Sequence, residues 1–469
     1  MIYFFLFIIS FLIRIVKLDQ SLWLDEGSTI QFASMSLNNL FNSLRGDFHP
    51  PLYYLLIRQL FAIFGTNLIY ARLVSVFFGS LTVIFFTSLL KKVFLNTKLG
   101  IGRVSLPLYL VGGLLLAFNP LHVYYSQEIR SYSLATFLAV LSWWLLLKRS
   151  NLSLFAWFLV QLVSVFTFYG LIFNLIASLM FLFFDDKKIF LKACWYIFLV
   201  FFVFLFWLPI FFVQLKGGGY LTTALPGWRE LSGLAGVKSL SLLMIKIHLG
   251  HISLSPKSLY NLVAIFIICY QSFLFFLSIR RPALPFWFWF FIPLALGLLV
   301  SLKSPMMGYW RFLFIVPSVI GLITFGLQLL PGNLGLINFF ISIIFYSICL
   351  FTYWQNPSFQ REDWRGLTKE VGGQKLLISF SGPFAPLEYY LKKDQVIPLQ
   401  TTVGHNRTDW NKFLTNQIKS ETSFFYTDYL TSMTDPQKEI LTWLNDKGFI
   451  LVRQKSFIGL GSLYQFQKL

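Results

Sequence analysis

Apolar runs separated by short charged connectors fill the first 354 residues, and most approach the roughly 17 to 25 residues that a membrane-crossing helix needs. About eleven such spans can be placed, near residues 1–18, 69–90, 104–118, 131–147, 151–168, 170–184, 190–213, 258–279, 286–302, 310–330 and 334–354. Between the first two lies a polar-edged loop, residues 19–68. Within it Ile30, Ala33, Leu37, Leu40, Phe41 and Leu44 recur at near-helical spacing, which predicts an amphipathic segment lying along the membrane surface. His49-Pro50-Pro51 stops it, and a further apolar helix to Phe64, too short to span comfortably, ends at Gly65 and Asn67. A second polar loop covers 119–132. A third, about 214–257, carries Gly217-Gly218-Gly219, a run that predicts a mobile lid.

After Tyr353 the pattern changes. Residues 355–469 hold 14 Lys/Arg and 11 Asp/Glu, with strand-like runs at 376–380, 423–426, 449–452 and 462–466 and a helix-like stretch at 437–444. The pattern predicts a mainly α, polytopic membrane protein with about eleven transmembrane helices over 1–354. A small water-soluble α/β domain should follow over 355–469.

Composition supports the membrane class. Of 469 residues 57% are hydrophobic and 12% charged, with a mean hydropathy of +0.69 and 56 Phe. The net charge of +19 does not point to nucleic acid, because Lys and Arg cluster between apolar runs rather than along a soluble face with interleaved aromatics. Lys91, Lys92, Lys98, Arg103, Lys148, Arg149, Lys187, Lys188, Arg280 and Arg281 all fall on one side of the predicted spans, which is then cytoplasmic. The N-terminus is expected inside and the C-terminal domain outside the cytoplasmic membrane. Arg14 and Lys17 strain this topology, and snorkelling to the outer interface would accommodate them. A cleaved signal peptide over 1–18 is disfavoured by the lack of a basic segment before the apolar run and of a small-residue cleavage site. Cys194, Cys269 and Cys349 sit in apolar runs and read as small core residues.

The candidate chemistry is acidic. Residues 1–354 contain eight acids, Asp19, Asp25, Glu26, Asp47, Glu128, Asp185, Asp186 and Glu230, and carboxylates this scarce near lipid are costly unless they have work to do. The adjacent pair Asp25-Glu26 is the leading catalytic candidate; the alternative is capping of the surface helix. Arg130, Arg72, Arg58 and Arg311 lie at predicted outer interfaces, where they could clamp a phosphate. His49, Tyr53, Tyr124, Tyr125, Gln127, Glu128 and Tyr132 are candidate substrate contacts. Against this, the aromatics could form an interfacial belt, Glu128 and Arg130 could pair, and His49 could be a turn residue. Asp47 with Asp25 or Glu26 offers oxygens to a divalent cation, but their separation is unlike a compact metal motif, so metal use stays open and no cofactor is certain.

Arg14 through Leu22-Trp23-Leu24-Asp25-Glu26, His49-Pro50-Pro51-Leu52-Tyr53, Ala71-Arg72-Leu73, Tyr124 through Tyr132, and Arg311-Phe312-Leu313 with Pro317 together resemble the family 39 membrane glycosyltransferases. That family includes protein O-mannosyltransferases and lipid A aminoarabinose transferases and has the C-type glycosyltransferase fold. The likeness runs in order over roughly residues 10 to 330. Arg361-Glu362-Asp363-Trp364-Arg365 is similar to the entry to the outer domain in bacterial members. The resemblance implies inverting transfer of a hexose or pentose from a polyprenyl-phosphate donor to a protein, lipid or glycan acceptor at the outer face of the membrane. The rival class is a flippase for lipid-linked glycans or a polysaccharide polymerase, neither of which needs a carboxylate pair in the first outside loop.

Overall fold

In this computed structural model, which describes all residues except 96, 102–103, 225, 380–384, 400–406, 419–420 and 469, apolar helices dominate. The chain runs through α1 (Ile2–Ile15), α2 (Leu24–Ser34), α3 (Leu37–Ser43), α4 (Leu52–Phe64) and α5 (Leu68–Val93) to an antiparallel hairpin, β1 (Lys98–Ile101) and β2 (Val104–Pro107). Then come α6 (Leu108–Phe118), α7 (Pro120–Tyr125), α8 (Tyr132–Leu146), α9 (Asn151–Thr167), α10 (Leu171–Asp185), α11 (Lys187–Phe204), α12 (Leu208–Ala224) and α13 (Pro226–Ser232). Helices α14 (Val237–Leu249), α15 (Lys257–Leu277), α16 (Leu284–Ser301), α17 (Val316–Gln328) and α18 (Leu334–Gln355) complete the apolar portion. The chain forms two compact units, one of residues 1–18, 36–216 and 232–355, the other of 19–35, 217–231 and 356–469.

The expected eleven crossings are not all matched by full-length helices. Among the described residues five helices are long and apolar enough to cross a membrane: Leu68–Val93, Lys257–Leu277, Arg281–Ser301, Tyr309–Gln328 and Leu334–Gln355. Lys187–Phe204 with Leu208–Gly217, bent by 74°, makes a sixth if counted as one span. Other apolar runs fold as helices of 10–17 residues, because apolar character continues past the points where the helix stops. Residues 104–107 of the predicted third span are a strand, and Asn119-Pro120 breaks the chain where α6 gives way to α7.

Basic connectors gather as the hydropathy pattern predicts. Lys92 and Lys148, at the ends of α5 and α8, both lie over the Trp144 ring, with Nζ 4.9 and 3.5 Å from its centroid. Arg149 pairs with Asp185. Asp186 caps α11, accepting from the amides of Lys188 and Ile189, so two acids on the basic side have structural work. Arg103 lies outside the described residues.

Arg14 does not snorkel. It is fully buried, with Nη1 donating to Ser10 O, Ser10 Oγ and Ala117 O and Nη2 to His122 Nδ1. An arginine in an apolar helix solves its desolvation by turning inward onto carbonyls and an imidazole. Nor do the glycines form a loop: Gly217, Gly218 and Gly219 lie within α12, which corrects the expected lid. Of the cysteines, Cys349 is buried but Cys269 is exposed on α15.

The second unit contains a five-stranded sheet of β3 (Leu376–Ile378), β4 (Val396–Pro398), β5 (Ser423–Thr427), β6 (Phe449–Phe457) and β7 (Gly461–Lys468), in the order β4-β3-β5-β7-β6. β3 is parallel to β4 and β5; β7 is antiparallel to β5 and β6. Alternation along the strands feeds two cores. Leu377, Phe424 and Tyr426 pack with Leu414, Ile440 and Leu444 on one face, while Leu376, Ile378 and Phe425 pack with Trp364, Leu367 and Leu387 on the other. Leu24 of α2 packs against this second core, so the segment bearing Asp25 and Glu26 is folded with the sheet.

Candidate active site

Asp25 and Glu26 sit in the first turn of α2, whose N-cap is Trp23. Neither is therefore the N-cap that the capping alternative required, although both are placed to favour the positive end of the helix dipole. Glu26 is fully buried and Asp25 is partly exposed. Asp25 O accepts from Thr29 Oγ1 at 3.0 Å, an ordinary helical contact. The Trp23 side chain offers α2 no capping bond. Glu362 supplies one: its Oε2 accepts the Leu24 amide at 3.1 Å.

In the larger unit most of the other candidates converge. The Asn119–Tyr132 segment is buried nearly throughout, and Asn119 starts α7 by accepting from the His122 amide. Arg130, 6% exposed, donates from Nη2 to His49 Nε2 at 3.0 Å and stacks over the Tyr132 ring. The other ring nitrogen, Nδ1, faces Asp47 Oδ1 at 3.5 Å. Tyr54 donates to the other Asp47 oxygen at 2.6 Å. Burial raises the Asp47 pKa, but the charge and hydrogen bond of His49, the hydrogen bond of Tyr54 and the charge of Arg130 outweigh it and bring the carboxyl down to about 2. Gln214 fixes the turn from behind, donating to Leu44 O and His49 O, and is itself held by Tyr169.

Aromatic rings continue the wall. Tyr132 meets Tyr125 edge-on at 5.7 Å, and Tyr125 meets Tyr124 and Tyr309 at 5.1 and 6.4 Å. Burial pushes the Tyr125 hydroxyl well above its ordinary value, and Tyr309, Glu128 and Tyr124 push the same way, so it serves as a donor rather than a phenolate. Tyr124 stacks on His251 at 4.4 Å. Tyr53 bonds Ser75, which donates to Glu128 O. Gln127 reaches Arg14 O and Val16 O and accepts from Tyr353.

The four candidate phosphate cations are less uniform. Arg72 is buried and donates to Leu18 O at 2.7 Å. Arg311 donates to Ser232 O and Pro305 O and lies over Trp310. Arg58, on α4, has a buried Nε without a hydrogen-bond partner among the described residues. As for metal, no group of three or more His, Cys, Asp or Glu among the described residues could hold an ion.

Tyr54, Gln214 and Glu362 are not among the candidate site residues, Glu362 being singled out only within the stretch that opens the outer domain. Tyr54 could have been found, since it lies in the first turn of the helix just after the turn that carries Asp47. Glu362 could not, because nothing in its local sequence points 338 positions back to Leu24.

The order of helices and the terminal sheet give the chain a fold shared with solved membrane sugar-transferase structures named ArnT. Among solved structures, ArnT from Cupriavidus metallidurans in the apo state matches over 99% of this chain and 97% of its own, with 12% identity and a TM-score of 0.53. ArnT from the same organism bound to undecaprenyl phosphate aligns over the same shares with 11% identity and a TM-score of 0.40. No family model and no curated protein sequence matches the chain.

Proposed function

We propose that this protein transfers a sugar from a polyprenyl-phosphate donor to an acceptor at the outer face of the cytoplasmic membrane. The observation that supports the proposal is a likeness to the fold of ArnT over almost the entire chain, together with an acid pair in the first turn of α2. Asp25 takes the proton from an acceptor hydroxyl. That oxygen then attacks the anomeric carbon, and the bond from this carbon to the phosphate oxygen breaks with inversion, its electron pair leaving on the phosphate. Glu26 orients Asp25 or the acceptor. Arg130, with Arg72, Arg58 and Arg311, offsets the charge developing on the phosphate. His49, Tyr53, Tyr124, Tyr125, Gln127, Glu128 and Tyr132 line the donor.

The test is transfer of radiolabelled sugar from a panel of polyprenyl-phosphate hexoses and pentoses by the purified protein. Asp25→Asn keeps size but cannot take the proton, so turnover should fall by about a hundredfold or more at unchanged expression. Glu26→Gln should lose less. An active Asp25→Asn protein would refute the base, and translocation without transfer by wild type would favour the flippase class.

A further inference from the structure

The segment Arg361-Glu362-Asp363-Trp364 lies at the start of the sheet-bearing portion, and it holds residues 19–23, the irregular segment that leads into α2. The Arg361 amide donates to Gln20 Oε1 at 2.9 Å, the Arg365 amide to Ser21 Oγ at 3.0 Å, and the Arg365 guanidinium pairs with Asp19 at 2.9 Å. The Leu22 amide donates to Tyr390 Oη at 2.9 Å, and the Arg361 guanidinium lies over the Trp23 ring. Glu362 is the centre of this attachment. One carboxylate oxygen accepts from Trp364 Nε1 at 2.8 Å as well as from the Leu24 amide, and the other accepts from Tyr429 Oη at 2.7 Å. Trp364 is fully buried in the sheet's core, and the Asp363 amide is anchored to Ile458 O between β6 and β7. The carboxylate is thus fixed from the sheet side before it touches α2.

We propose that Glu362 is a positioning residue for Asp25, fastening the amino end of α2 to the sheet domain one residue before the candidate base. The inference rests on the reading of Asp25 above and gives the sheet domain a role in that reaction. Three features support it. The first four amides of a helix lack partners within it, and the residue at the N-cap of α2 provides none, so Glu362 fills a place that local sequence leaves empty. The charge of Asp25 acts on both Glu362 and Tyr429, which places the two acids in one electrostatic neighbourhood. Burial raises the Glu362 pKa while its three donors oppose that shift, the pattern of a carboxylate retained for its hydrogen bonds. A base must be held within a fraction of an ångström of its proton, and an error of about 1 Å costs on the order of a hundredfold.

The experiment compares Glu362→Ala, Glu362→Gln and Asp25→Asn in full-length protein, using the panel donor that gives the highest wild-type rate. Glu362→Ala should lower kcat about tenfold or more with the donor KM nearly unmoved. Glu362→Gln still presents an oxygen to the Leu24 amide and should restore kcat to within about threefold of wild type. The proposal is overturned if folded Glu362→Ala keeps its kcat, if activity falls only with the folded fraction seen in thermal melts, or if Glu362→Gln is as impaired as Glu362→Ala. Should Glu362→Ala not fold, Tyr429→Phe decides: it removes one donor to the carboxylate, so a fall in kcat of about threefold at constant KM supports the role, and an unchanged kcat refutes it. An inactive Asp25→Asn beside a normal Glu362→Ala removes this inference alone; an active Asp25→Asn removes the underlying reading with it.

Discussion

Asp47 is a buried acid whose partners outweigh its burial, and that has a measurable consequence. Its pKa is depressed to about 2 in the folded protein, against an ordinary unfolded value of about 3.9. A depressed carboxyl contributes stability that is fully present above the unfolded value and is lost as pH falls through the folded one. The window is therefore about pH 4 down to about pH 2, and the contribution is about 2.5 kcal/mol. Thermal melts in detergent should show Asp47→Asn less stable than wild type at pH 6, with the gap closing as the pH approaches 2. A gap that stayed constant would mean that His49 and Tyr54 do not depend on the charge. The consequence for function is indirect: Asp47 orients His49, and His49 orients Arg130, so the cation is held in place by a side chain the sequence offered only as a metal ligand.

Helix packing in the larger unit depends on small residues at close approaches, as it does wherever apolar burial alone cannot tell helix from lipid. Gly79 on α5 is the sharpest case. A Cβ there would stand 2.7 Å from Ser126 Cβ and 3.1 Å from Arg14 Nε, and neither can yield easily because Ser126 donates to His122 O and Arg14 is bonded on three sides. Gly79→Ala should destabilise by about 1 to 3 kcal/mol despite the better helix propensity of alanine. Gly46→Ala, with open space around its Cβ, should be close to neutral. Adding Ser126→Gly to Gly79→Ala should recover much of the loss in melting temperature, and a purely additive double variant would contradict the clash. This scale also shows what could be read from sequence. Strands β3, β5, β6 and β7 were visible because alternation and strand-forming side chains mark them locally. β4 was not, being three residues long and ending in Pro398. The glycine run in α12 was misread for a related reason: helix propensity is a weak prior that surroundings override. Span lengths failed because hydropathy records apolar character but not where backbone hydrogen bonding stops.

At the scale of the whole molecule, a fold can persist where sequence likeness has faded. Twelve per cent identity to ArnT leaves almost no residue-level guide, yet the chain follows that architecture over 99% of its length. For the apolar helices, part of the constraint is the bilayer's demand for internally satisfied backbone. That demand also makes topology testable. The ends of α5 and α8 bring Lys92 and Lys148 to one tryptophan, and Arg149 to Asp185 at the end of α10, so three helix ends share one side. By the positive-inside rule that side is expected to be cytoplasmic. A reporter fused after Arg149 should therefore read cytoplasmic, and one fused after Tyr353 should read outside, where a lipid-phosphate sugar and the α2 acids would have to meet. Accessibility of single cysteines to an impermeant reagent checks the same assignment without a fusion, with Ser358→Cys expected to react in intact cells and Lys188→Cys only after permeabilisation, both in a background lacking the native cysteines. Finding residues 356–469 on the cytoplasmic side would separate Asp25, Glu26 and their Glu362 anchor from the outer face, and the proposed transfer there would fail whatever the activity of single variants.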